Sequence, residues 1–248
     1  MKKLLMFVMT VFLLAIPQLR ADMPGDTYFN QGLDAGDNKE YDKAIDLYTQ
    51  ALSAGLSDSV QSDAYYNRGL MYQDKGLYTK AIADYTQSIA IKPASDAYYN
   101  RGLCNKNIGE YDKALSDYTK SIDLKPATDA YYNRGNIYYK QEKYDLAIDD
   151  YAASIDLKPA PDAYNNRGLC YKAKGDYEKA FADYASALKL DPNYEDTYYN
   201  RGNLYYKIGD YDKAIADYDQ ALKLNPNDKD AIENRTLALK KQAEAGNQ

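Results

Sequence analysis

The 248-residue sequence predicts an all-α solenoid of stacked helical hairpins. One observation is a recurring string: Tyr-Tyr-Asn-Arg-Gly stands at 65–69, 98–102, 131–135 and 198–202, with close variants at 28–32 and 164–168. Gly69, Gly102, Gly135 and Gly168 are 33 residues apart and Gly202 follows after 34. A second is that Pro93, Pro126, Pro159, Pro192 and Pro226 keep the same spacing, each 24 residues after a glycine. The third lies between them, where each unit holds two stretches of helical periodicity. Tyr65, Gly69 and Tyr72 share one stripe, and Tyr78, Ala81, Ile82, Tyr85, Ser88 and Ile89 share another. A single hairpin leaves an apolar face uncovered, so the units must stack into one continuous core.

The elements follow in order. Residues 1–21 read as a secretory signal: Lys2 and Lys3, an apolar run over 4–16, then Pro17, Leu19 and Ala21 ahead of Asp22. A helix of that run spans about 20 Å, short of the roughly 30 Å hydrocarbon core, so cleavage is expected rather than membrane insertion. Loss of the three cations Lys2, Lys3 and Arg20 would take the net charge from −6 to −9. Six repeats follow, at 25–58, 62–94, 95–127, 128–160, 161–194 and 195–228. In each, a first helix carries the Tyr-Asn-Arg-Gly string, a short turn such as 74–76 separates the helices, and the proline stops the second helix. Residues 229–245 restart a first helix with Thr236 in place of glycine and continue as Lys240-Lys241-Gln242, the polar cap that a solenoid needs.

This order of aromatic, Gly, Tyr, Tyr, Ala, aromatic, small residue and Pro resembles the tetratricopeptide repeat (TPR) family over about residues 25–245. The resemblance implies a right-handed superhelix whose concave face, lined by the first helices, binds protein. Two features depart from the family: a 33-residue unit in place of the usual 34, and Arg68, Arg101, Arg134, Arg167 and Arg201 where an aliphatic residue is common.

Composition narrows the function. With no His, there is no His-based acid–base pair, nucleophilic dyad or metal ligand. Net −6, from 31 Lys+Arg against 37 Asp+Glu, argues against nucleic acid. Carboxylate pairs such as Asp149-Asp150 point to different helix faces, so an enzyme is remote, and no cofactor or metal is expected. Cys104 and Cys170 lie two residues after a glycine, where other repeats carry Met71, Ile137 and Leu204, and so read as buried free thiols.

The register sorts the 29 tyrosines. Twenty-two fall on core or near-core stripes and Tyr194 lies in a linker. The family resemblance implies that Tyr66, Tyr99, Tyr132 and Tyr199, three before the glycine, and Tyr139 and Tyr206, four after it, are exposed rings on the concave face, in keeping with the enrichment of Tyr at interfaces. Beside them runs a ladder of Asn67, Asn100, Asn133, Asn166 and Asn200, flanked by Asn30 and Asn234. One carboxamide per repeat could both donate to and accept from the backbone of an extended peptide. Asp63, Asp96, Asp129, Asp162 and Asp196 are expected as first-turn caps, and Lys106, Lys140, Lys172 and Lys207 lie further along the same helices. Family members that clamp a carboxylate tail use Lys where this chain has Tyr66, Tyr99 and Tyr132, so that partner is disfavoured. Each Arg before a glycine recurs with an Asp fifteen after it, and repeat one loses both at once, with Gln31 and Leu47; an ion pair within or between repeats is therefore expected. Arg235 of the cap suits Asp217.

The expected function is an exported protein-interaction scaffold, periplasmic or secreted, holding a peptide or helix in the Tyr/Asn groove. The alternative is a structural or oligomerising module that uses its convex or terminal faces. Oligomeric state is left open.

Overall fold

The computed structural model describes residues 24–246 as helices and short connections; the expected signal at 1–21 lies outside the described residues. The described residues divide into two compact units, meeting at Leu124 and Lys125. The first holds α1 (Pro24–Asp37), α2 (Tyr41–Ala54), α3 (Asp58–Asp74), α4 (Tyr78–Ile91), α5 (Ser95–Asn107) and α6 (Tyr111–Leu124). The second holds α7 (Thr128–Lys140), α8 (Tyr144–Leu157), α9 (Pro161–Lys174), α10 (Tyr177–Leu190), α11 (Glu195–Lys207), α12 (Tyr211–Leu224) and α13 (Lys229–Gly246). Consecutive helices pair as antiparallel hairpins within each unit, and the first helices of neighbouring hairpins touch, as α3 does α5 and α9 does α11.

The core explains the repeat. Its largest side chains are Tyr48, Tyr85, Tyr118, Tyr151, Tyr184 and Tyr218, each at most 1% exposed. Each lies sixteen residues after its repeat's glycine and presses its ring onto that glycine's backbone. A Cβ on Gly168 would stand 2.8 Å from Tyr184 Cε1, and on Gly102 2.9 Å from Tyr118 Cε1. The glycine is thus required by close approach of two helices, in spite of its helical cost. Between the helices, Gly175 closes α9 in the left-handed region at φ 82°, while the hairpin of α7 and α8 turns through Glu142 at φ 58°.

The expected first-turn cap is seen at α9, where Asp162 Oδ1 accepts from the Ala163 N–H at 2.9 Å, and not at α5 or α7 among the described residues. The residues preceding these helices are Ala94, Ala127 and Ala160, which make no side-chain cap, and Asp96, Asp129 and Asp162 sit inside the first turn. Their contribution is a favourable charge at the positive helix end.

Candidate functional site

The six tyrosines expected as exposed rings are half-buried. The position three before the glycine turns toward the second helix of its own hairpin. There Tyr66 tilts against Tyr85, Tyr99 against Tyr118 and Tyr132 against Tyr151, each at 5.8 Å between ring centroids, and Tyr199 against Tyr218 at 6.2 Å. Tyr139 and Tyr206 lean on Tyr144 and Tyr211 at 5.9 and 5.5 Å.

The asparagine row is tied to those hydroxyls. In the first unit Asn100 Nδ2 donates to Tyr66 Oη at 2.9 Å. In the second, Asn166 Nδ2 donates to Tyr132 Oη at 3.1 Å and Asn234 Nδ2 to Tyr199 Oη at 3.1 Å, each linking one repeat to the one before. Repeat five replaces the tyrosine by Asn165, which is 3% exposed; its Oδ1 accepts from Thr197 Oγ1 at 3.2 Å and from Asn200 Nδ2 at 3.1 Å. Asn133 Nδ2 donates to the Asp129 carbonyl at 2.9 Å, and Asn67 sits half-buried on α3. The amide nitrogens of Asn100, Asn133, Asn166, Asn200 and Asn234 are therefore engaged, whereas the Oδ1 atoms of Asn100, Asn200 and Asn234 accept no bond among the described residues. Burial, and then Asp96, raises the pKa of Tyr66; burial, and then Asp162, raises that of Tyr132. Asp96 and Asp162 thus stand beside these hydroxyls, a role their place in the first turn gave no hint of. Lys106 and Lys172 are half-buried and burial lowers both pKa values, while Lys140 and Lys207 are exposed.

The arginines belong to the framework. Arg68–Asp84, Arg101–Asp117, Arg134–Asp150, Arg167–Asp183 and Arg201–Asp217 pair inside their own hairpins at 2.6–2.8 Å. Each guanidinium also stacks over the tyrosine three residues earlier, as Arg101 does on Tyr98 at 5.4 Å. Tyr98 and its counterparts are therefore platforms for a cation rather than core filling. Arg235 departs from expectation and pairs with Asp219 at 2.5 Å, not with Asp217, which Arg201 already occupies. Position seventeen after the glycine explains it. There Thr49 and Thr86 take a bond from the next repeat's Arg68 and Arg101 at 2.9 and 3.0 Å, and Asp219 is the same position before the cap. Cys104 and Cys170 are buried free thiols.

Among the described residues no three His, Cys, Asp or Glu side chains gather as a metal site would need, and no helix is long and apolar enough to cross a membrane.

The family model described as Tetratricopeptide repeat matches residues 62–94, 95–127, 128–160 and 195–228, more than half of the chain, and one described as TPR repeat matches 168–209. No curated protein matches. Among solved structures, MamA protein is 29% identical with a TM-score of 0.62, covering 66% of this chain and 90% of its own. YrrB, described as a TPR protein with an unusual peptide-binding site, is 22% identical with a TM-score of 0.66, covering 76% of this chain and 97% of its own. A tetratricopeptide repeat protein from Parabacteroides merdae is 17% identical with a TM-score of 0.62, covering 88% of this chain and all of its own. The last two likenesses speak to the fold alone.

Proposed function

Because this chain belongs to the tetratricopeptide repeat family, a family of protein-interaction scaffolds, we propose that it is an exported, non-enzymatic scaffold. It holds an extended segment or helix of a partner protein against the first-helix face of a unit, which carries Tyr66, Tyr99, Asn67 and Asn100 in the first unit and Tyr132, Tyr139, Tyr199, Tyr206, Asn133, Asn166 and Asn200 in the second. The observation that carries this reading is the set of free carboxamide oxygens. Bonding of Asn100 Nδ2 to Tyr66 and of Asn200 Nδ2 to Asn165 fixes which end of each amide is spent internally and leaves Oδ1 as an acceptor for a partner's backbone N–H. The face is preorganised, so binding loses little side-chain freedom. A backbone-reading row tolerates many sequences and suits a scaffold.

The sequence at 1–21 supports export, with the partner then met in the periplasm or outside the cell. Affinity capture from envelope and medium tests both points. The double variant Asn100→Ala, Asn200→Ala, shown to be folded by its helical circular dichroism, is expected to lose at least tenfold in recovered partner. Undiminished recovery would remove the face from consideration. A chain that retains its first residues in the cytoplasm would remove the export.

A further inference from the structure

Repeat three lacks a ring that its neighbours keep. Three residues after the glycine stand Tyr72, Tyr138, Tyr171 and Tyr205, but in repeat three Asn105. Three of these rings have a lysine beside them, from the position eleven after the glycine: Lys80 Nζ stands 5.4 Å from the centroid of Tyr72, Lys179 Nζ 5.3 Å from Tyr171 and Lys213 Nζ 5.3 Å from Tyr205. Arg68, one before its glycine, lies 5.9 Å from Tyr72. Phe181, thirteen after the preceding glycine, packs on Tyr205 at 4.6 Å.

Repeat three keeps the parts of this seat and omits the ring. Asn105 is 4% exposed and its Nδ2 donates to Asp117 Oδ2 at 2.9 Å, so the short side chain is spent on the Arg101–Asp117 pair. Beside it a cleft of about 410 Å³ lies between α4 and α6, within the first unit. Arg101 and Lys113 line it at the offsets of Arg68 and Lys80, and Ile82 at the offset of Phe181. The volume falls within the roughly 300–1,000 Å³ of ligand sites. Its mouth is open, with exposed Thr79, Lys113 and Ser116, so a ring can enter while its backbone stays outside. The bond to Asp117 accounts for the asparagine. It does not account for a cleft that no neighbouring side chain fills, which forgoes both the apolar burial and the cation–π contact of a ring.

We propose that this cleft receives an aromatic side chain of a partner protein, whose ring takes the place that Tyr72, Tyr171 and Tyr205 fill from within the chain. The chemistry of the occupant is read from the chain's own repeats, where a lysine at the offset of Lys113 flanks a phenol ring three times. A protein as its source rests on the scaffold reading; the seat itself shares no residue with the Tyr/Asn row.

The test uses the folded protein carrying carbon-13 at its isoleucine methyls, with N-acetyl-tyrosinamide as the probe and N-acetyl-leucinamide and p-cresol beside it. The tyrosinamide is expected to bind saturably in the millimolar range, with ring-current shifts at Ile82 and Ile108, which line the cleft, and none at Ile208, the same offset in repeat six. The leucinamide should bind at least fivefold more weakly. Asn105→Tyr, which supplies the ring from within, should abolish the shifts. Lys113→Gln, whose partner Glu110 is on the surface, should weaken binding two- to fivefold. No saturable shift, equal binding of the leucinamide, or undiminished binding in a folded Asn105→Tyr protein would each overturn the proposal; if that variant does not fold, unaltered binding in Lys113→Gln overturns it. Binding of p-cresol without the tyrosinamide would do the same, marking a site for a free small aromatic. The asparagine variant of the capture experiment leaves the cleft intact, so the two readings fail separately.

Discussion

Arg167 and Asp183 form a two-pronged ion pair inside one hairpin, with Nε to Oδ2 at 2.9 Å and Nη2 to Oδ1 at 2.8 Å, and the guanidinium rests over Tyr164 at 5.5 Å. Asp183 is 5% exposed, so removal of the arginine strands a charge in the core. Arg167→Leu is expected to cost about 3 kcal/mol, whereas Arg167→Leu with Asp183→Leu together should return to within about 1 kcal/mol of the parent. In the equivalent pair, burial pushes the Asp150 carboxyl up against the downward pull of Arg134. Urea titrations of the four proteins in this cycle measure the coupling. At the exposed pair, Asp219→Ala should change stability by less than about 0.5 kcal/mol.

Two glycines separate helix propensity from packing. At Gly168 an added Cβ meets Tyr184 Cε1 at 2.8 Å and Cδ1 at 3.0 Å; the ring is fully buried and has nowhere to move. At Gly36 the nearest atom is Met71 Sδ at 3.5 Å, an ordinary contact. Both sit in helices, where Gly→Ala gains up to about 1 kcal/mol intrinsically. Gly36→Ala should therefore stabilise by about 0.5–1 kcal/mol, and Gly168→Ala should destabilise by about 1–2 kcal/mol because overpacking outweighs propensity. Thermal melts of the two variants should move in opposite directions.

The hairpins were legible because glycine, the core tyrosine sixteen later and the proline repeat as a set, and each answers a backbone constraint. The Arg–Asp pair was legible because Gln31 and Leu47 lose both members together. What stayed hidden depends on where a side chain points across repeats. Asn100 and Tyr66 stand 34 apart, as do Asn166 and Tyr132, and Asn234 and Tyr199 stand 35 apart, yet spacing alone does not say that the amide reaches the hydroxyl rather than a ligand. The half-burial of Tyr66 and Tyr132 follows from their rings packing against Tyr85 and Tyr151 of the second helix, which the periodicity of an isolated helix does not contain. The role of Thr49, Thr86 and Asp219 was within reach, since that position changes to an acid just where the cap needs a partner.

The core tyrosines dictate how the protein fails in alkali. Burial, and then Asp37, pushes Tyr48 up to about 12, and burial pushes Tyr85, Tyr118, Tyr151, Tyr184 and Tyr218 higher still. The folded state thus keeps the phenol proton that the unfolded chain loses near pH 10. Stability is fully present below that pH and is lost as pH rises toward the folded values. By pH 11 each group has removed about 1.4 kcal/mol relative to neutral pH, so six remove about 8 kcal/mol, comparable to a whole domain's stability. A cooperative loss of helix near pH 11 is expected, with phenolate absorbance rising in the same step. Gradual phenolate formation ahead of any helix loss would contradict it.

Cys104 and Cys170 are fully buried, and burial pushes both thiols up to about 12. At pH 8 the thiolate fraction is on the order of one in ten thousand, against roughly one in four for an ordinary thiol. A disulfide-exchange reagent should label neither cysteine of the native protein on a timescale of minutes and both at once in urea. Fast labelling of the native chain would place the thiols outside the core.

Repeats four to six differ in how they satisfy the core hydroxyl. Tyr151 Oη donates to Asn136 Oδ1 and Tyr218 Oη to Asn203 Oδ1, both at 2.7 Å, through the residue directly after the glycine. Repeat five has Leu169 there, and Tyr184 Oη is buried with no partner among the described residues. A neutral buried hydrogen bond contributes about 1 kcal/mol net, and a stranded buried hydroxyl costs about 1–3 kcal/mol. Leu169 is half-buried, so an amide in its place loses little apolar contact. Leu169→Asn should therefore stabilise by about 1 kcal/mol, and Asn203→Leu, which strands Tyr218, should destabilise by at least as much. If Leu169→Asn instead destabilises while Tyr184→Phe is neutral or stabilising, the hydroxyl has no need of an acceptor, and the asparagine after the glycine in repeats four and six serves the first-helix face rather than the core.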